Sequence, residues 1–224
     1  MKILYPGLLF LWMGLQGLYA QDAGRFDAYI PEGYRQVEET IQGDLNGDDR
    51  KDYILLIQNT DKRAFVKNRF GDTVNRNRRG LIILFGQKDG YSEVFKSLEC
   101  FSSAQEDGGV YFPPELWVSI NGSKIIITYA HGRYGYWAYT FRYQQGAFYL
   151  IGYDESDDYG PIIDTQISIN YLTKKKLVRK NTNPDTQESG AEVFKETWSD
   201  ISMKSLTPLA SIADFDNFEA PGIL

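Results

Sequence analysis

Trp137-Ala138-Tyr139-Thr140-Phe141-Arg142-Tyr143, Gln144-Gln145-Gly146 and Ala147-Phe148-Tyr149-Leu150-Ile151-Gly152-Tyr153 follow one another in the chain. Side chains alternate between the two faces of an extended strand. Trp137, Tyr139, Phe141 and Tyr143 therefore share one face, and the glycine after two glutamines reads as a hairpin turn. Aromatic residues favour a pleated surface and bury a large area, so that face is expected to be core. Tyr134, Tyr136 and Tyr153 are read as lying near loops or on the opposite face.

Outward from this hairpin the strand signals continue. Leu116, Val118 and Ile120 alternate with Trp117 and Ser119, Asn121-Gly122 turns the chain, and Lys124 to Tyr129 returns. Upstream, Gly80 to Gly86 is an apolar run bounded by glycines, too short for a helix. Downstream, Ile163–Tyr171 and Lys176–Lys180 form a further hairpin, and Ala191–Trp198 adds an edge strand. Residues 59–79 read as a long polar loop and Asp154–Gly160 as a short acidic one. Ser211–Phe218 forms a turn or two of helix. The expected fold is mainly β: antiparallel sheets, sandwich-like or strongly curved, with long loops and little helix.

Asp44-Leu45-Asn46-Gly47-Asp48-Asp49-Arg50-Lys51-Asp52 carries the most specific chemistry. Asp44, Asn46, Asp48 and Asp52 put side-chain oxygens at positions 1, 3, 5 and 9, and Arg50 offers its carbonyl at position 7. Ca²⁺ takes oxygen ligands in such a wrap. Position 12 is Leu55, where an EF-hand has glutamate, and an apolar strand, Tyr53 to Ile57, follows. Position 6 is Asp49, a residue that tolerates the left-handed conformation glycine usually supplies there. An ion-free turn built by Asp, Asn and Gly alone is the competing reading.

The segment Gly43 to Asp48, with Asp52 and the strand after it, resembles the calcium loop of FG-GAP and VCBS-type repeat proteins and is similar to the dockerin loop. With the signal-like N-terminus, the segment 137–153 and the turn Asn170 to Lys175, the chain resembles small exported bacterial proteins of FG-GAP-like type. That resemblance implies export and calcium; it carries no activity.

Residues 1–20 read as a secretory signal: Lys2, an apolar stretch from Ile3 to Leu18, and Leu18-Tyr19-Ala20 before Gln21. Pro6, Gly7 and Gly14 interrupt it, and it is short for a membrane span. Residues 21–224 are expected to form a single β-rich domain, periplasmic or extracellular, with no stable membrane span after cleavage. Formal net charge is −6, with 24 Lys+Arg against 30 Asp+Glu. An acidic balance has no footprint for nucleic acid. Cys100 is the only cysteine, so no disulfide forms within the chain.

No catalytic residue stands out. His131 is the only histidine and no nucleophile motif accompanies it. Asp154, Glu155, Asp157 and Asp158 are a second cation or carboxylate candidate. Lys62, Arg63, Lys67, Arg69, Arg76, Arg78 and Arg79 form a basic stretch that could steer an anionic partner. The expected role is an exported, non-enzymatic binding or accessory protein with one structural Ca²⁺ and a cell-envelope protein or glycan as partner. The alternatives are an exported hydrolase of glycan or peptide using loop carboxylates, and a secreted inhibitor or adhesin.

Overall fold

The computed structural model describes residues 24–105, 115–183, 185 and 187–223; the signal-like segment 1–20 lies outside them. The protein is mainly β; among the described residues all strand pairs are antiparallel and neither main sheet closes into a barrel.

The first sheet contains Tyr34–Gln36 (β1), Ile41–Gly43 (β2) and Asp52–Asn59 (β3). After a small hairpin of Phe65–Lys67 (β4) and Thr73–Asn75 (β5), Arg79–Gly86 (β6) and Tyr91–Phe101 (β7) complete it. β3 is central to one side, pairing with both β1 and β2 on one edge and with β6 on the other. Every residue of β6, and all of β3 but Asn59, is buried. Continuous apolar runs arise when both faces of a strand are covered. Ile54, Leu56, Leu81 and Ile83 face the second sheet. Leu55, Ile57, Ile82 and Leu84 face a separate cluster around Phe26, with Tyr29, Ile30 and Tyr34 against it. The guanidinium of Arg25 lies over the rings of Phe26, Tyr53 and Tyr91 and donates to Tyr53 Oη at 3.1 Å.

The second sheet is a meander of seven strands: Glu115–Asn121 (β8), Lys124–Ala130 (β9), Gly135–Gln144 (β10), Ala147–Tyr159 (β11), Ile162–Asn170 (β12), Lys175–Asn181 (β13) and Phe194–Asp200 (β14). β10 and β11 turn through Gln145 and Gly146, both at positive φ (52° and 85°), as a two-residue hairpin of the primed type requires. Tyr139 and Phe141 are buried, with Trp137 and Tyr143 partly buried against the same core. Phe85 of β6 meets Tyr143 edge-on at 4.8 Å between ring centroids. The two sheets thus share one core.

Several expectations change. Residues 154–159 are not a loop: β11 runs through them, held between β10 and β12, with an irregularity at Asp157/Asp158. Tyr153 is core rather than surface. The polar stretch 59–79 contains β4 and β5. The helical expectation at 211–218 becomes two single 3₁₀ turns, Leu209–Ser211 and Phe215–Asn217. These belong to a segment, 201–223, that covers the core with Leu206, Leu209, Ile212, Phe215 and Phe218. Tyr171 Oη donates to the Pro221 carbonyl at 3.0 Å, and Arg78 donates to Asp214 at 2.7 Å.

Candidate metal centre

Leu45 is buried in the shared core and anchors the loop 44–52 between β2 and β3. Around it the polar side chains fold back on the backbone. Asp44 Oδ1 accepts from Gly47 N at 2.7 Å and from Asp48 N at 3.3 Å, and its Oδ2 accepts from Asp49 N at 3.0 Å. Asn46 Oδ1 accepts from Asp48 N at 3.0 Å, and Asp48 Oδ1 from Arg50 N at 2.9 Å. Side chains that bond the backbone two residues on build such turns unaided. Asp49 adopts φ 62°, the left-handed conformation expected of it.

Asp52 plays a different part. It is wholly buried. Its Oδ2 accepts from Leu45 N at 2.7 Å and its Oδ1 from Gly86 N at 3.0 Å, so it ties the loop to the end of β6. The backbones are close here: a β-carbon at Gly86 would lie 2.4 Å from the Lys51 carbonyl oxygen. Burial pushes the Asp52 carboxyl up against those two N–H bonds, and the charges of Asp48 and Asp44 push it further. At Asp44 a smaller burial cost is outweighed by the N–H groups of Gly47, Asp49, Asp48 and Asn46, which hold its carboxyl below the usual value.

The donor set suits a hard cation in kind: side-chain oxygens from Asp44, Asn46 and Asp48 and the Arg50 carbonyl. An oxygen accepting one N–H bond retains acceptor capacity. Asp52 is the weakest member of the set: it is wholly buried, and one of its oxygens is committed to Gly86 N outside the loop. Among the described residues no group of three or more His, Cys, Asp or Glu is placed to hold a metal ion.

The other candidates are dispersed. His131 precedes the 3₁₀ turn Gly132–Tyr134, its ring 5.7 Å from that of Tyr134. Asp154 and Asp158 accept from Ser168 Oγ at 2.7 Å and Ser156 Oγ at 2.6 Å, while Glu155 accepts from Tyr153 at 2.8 Å. The basic stretch is not one surface. Arg63 pairs with Asp61 at 2.7 Å, Arg78 clips the C-terminal segment, and Arg79 is buried and donates to the Ser102 carbonyl at 2.9 Å.

A cleft of about 560 Å³ lies beside β2 and β8, and its residues come from segments far apart in sequence. Glu38, Glu39 and Glu115 are exposed carboxylates in its wall, with Arg79, Leu56 and Leu116 as its buried lining. Trp117, 59% exposed, stands beside them. No sequence motif joins these positions; the one signal that could have pointed to them is the alternation that puts Trp117 on the face opposite Leu116 and Val118.

Comparison with known proteins finds no matching family model, no matching curated protein and no matching solved structure. Among the described residues no helix is long and apolar enough to cross a membrane.

Proposed function

We propose that this chain is an exported, non-enzymatic binding or accessory protein whose 44–52 loop takes one structural Ca²⁺ through Asp44, Asn46, Asp48 and the Arg50 carbonyl, with Asp52 behind them. The feature that carries the calcium reading is the set of oxygen donors on one short loop: Asp44, Asn46 and Asp48 turn their side chains back along a segment anchored by Leu45, and a divalent cation would neutralise the two carboxylates among them. The resemblance to FG-GAP and VCBS loops supports the same assignment. The ion's chemistry is charge neutralisation; the loop's own hydrogen bonds set its shape.

Affinity is expected near 10⁻⁴–10⁻³ M, as in extracellular modules. Saturation with 10 mM Ca²⁺ then stabilises the fold by about 1.4–2.7 kcal/mol. Thermal melts of residues 21–224 in Ca²⁺, Mg²⁺ and chelator test this. Asp48→Ala should remove the calcium increment, and identical melts of wild type in calcium and in chelator would reject the site.

The cleft gives the hydrolase reading its one structural observation, three carboxylates in a wall. All three are exposed, whereas a carboxyl tuned as general acid is shielded from water. That exposure favours binding. Turnover of labelled glycans or peptides, lost on Glu→Gln replacement in the cleft, would reverse the choice.

A further inference from the structure

We infer that the cleft beside β8 receives an extended basic peptide, added as a strand to the open edge of β8. This rests on the binding-protein reading and gives it a partner class. β8 ends the seven-stranded sheet, so one of its edges has no strand neighbour among the described residues. At one end of β8, β2 packs against the strand's core-facing side chains: a β-carbon on Gly43 would lie 2.6 Å from Ile120 Cγ2. Toward the other end, Glu115 to Val118 line the cleft. An unpaired strand edge offers backbone N–H and C=O groups to an incoming chain.

The side chains around the opening select the charge of that chain. Glu38 and Glu39 flank it from the β1–β2 connection and Glu115 from the start of β8. Among the described residues Arg79 is the one cation in the lining, leaving a formal excess of negative charge there. Trp117 stands exposed next to Glu115 on the same strand, and an indole face attracts Lys or Arg side chains. Leu56, Leu116 and Ile41 supply an apolar floor. Alternating basic and apolar side chains on an extended peptide match this arrangement, one set toward the carboxylates and Trp117, the other toward the floor.

The probe is fluorescein-labelled Lys-Val-Lys-Val-Lys amide, read by anisotropy against the intact chain. Saturable binding is expected, at least tenfold weaker for the triple variant Glu38→Gln, Glu39→Gln, Glu115→Gln and for Trp117→Ala, and weaker in high salt. All four positions are exposed, and circular dichroism melts check that the variants fold as wild type does. A backbone N-methylated probe should also lose at least tenfold, since it cannot pair with β8. No binding by wild type, equal binding by the triple variant, or undiminished binding of the N-methylated probe overturns the inference. So does displacement by a glycan such as chitohexaose or equal binding of Glu-Val-Glu-Val-Glu. A silent probe alongside a blank hydrolysis panel removes the cleft assignment alone; turnover in that panel removes the binding-protein reading itself.

Discussion

β3 and β6 in the first sheet and β13 and β14 at one edge of the second are built from the same strand geometry under opposite conditions. The first pair is covered on both faces, by the second sheet and by the segment around Phe26. In the second pair every residue of β14 except Phe194 is exposed. Pairing there is carried by backbone bonds and surface charge: Lys175–Asp200 at 2.7 Å, Arg179–Glu196 at 3.3 Å, and Arg179 over Phe194 at 4.5 Å. Such surface pairs contribute little. Stability is therefore expected to be concentrated in the first sheet and its interface, with the far edge free to vary.

The largest effect should come from the doubly covered strand. Leu55 is fully buried, and Leu55→Ala should cost about 3–5 kcal/mol, the transfer term plus the cavity. Denaturant unfolding measures it; a loss under about 1 kcal/mol would mean that the Phe26 segment does not cover β3 in solution.

Asp52 should follow. Asp52→Ala leaves the N–H groups of Leu45 and Gly86 without their acceptor and should cost about 2–3 kcal/mol. Asp52→Asn, which keeps an acceptor, should cost less. The acid dependence has a definite sign. The folded carboxyl is raised by burial first, then by Asp48 and Asp44. A raised folded value makes its contribution complete below the unfolded value and lost as pH rises through the folded one. Asp44, held low by backbone N–H bonds, has the opposite sign and loses its contribution as pH falls. Calcium should move the Asp52 titration, followed by carboxyl-carbon NMR, to lower pH. An unmoved titration under saturating calcium would separate the loop from any cation.

Arg78 sharpens the comparison from the first sheet's rim. It donates to Asp214, to Asp216 at 3.4 Å and to the Glu99 carbonyl at 2.8 Å. Its side chain is about one-third exposed (34%), so solvent screening limits its worth to about 1 kcal/mol. Arg78→Ala should lower stability by that amount and speed proteolysis within 201–223 before global unfolding. Cleavage no faster than in wild type would mean the segment is held by its apolar side chains alone.

The legible part of the fold was its periodicity. Continuous apolar runs gave β3 and β6, and alternation with glycine turns gave β8 to β11. β7 escaped because its faces do not alternate cleanly; register irregularities at Arg79/Leu81 and Ile83/Leu84 break the pattern against β6. The acidic end of β11 escaped because Asp154 to Asp158 has loop composition, and only pairing on both sides keeps it extended. The loop at 44–52 was legible because its donors are contiguous. Its tie to Gly86 and the cleft were not, since both depend on residues brought together by packing rather than by spacing.

Asp49 tests the loop's backbone on a finer scale. At φ 62° a residue with a β-carbon bears a steric cost that glycine avoids. Asp49→Gly should raise stability by about 0.5 kcal/mol, less than the full steric cost because the unfolded chain also gains freedom. A melt lower than wild type would show that the Asp49 side chain itself holds the loop.

The smallest effect should sit at the far edge. Trp198 is 63% exposed on β14, opposite Leu177. A large aromatic that reaches no core has little burial to lose, so Trp198→Ala should stay within about 0.5 kcal/mol of wild type. Leu55→Ala and Trp198→Ala remove side chains from strands of similar length, so their ratio measures the asymmetry between the sheets directly. A Trp198→Ala loss approaching that of Leu55→Ala would place a covering partner over β14 under the assay conditions. Dilution then decides whether that partner is a second copy, because the stability of a self-associated edge falls with protein concentration whereas that of an isolated one does not.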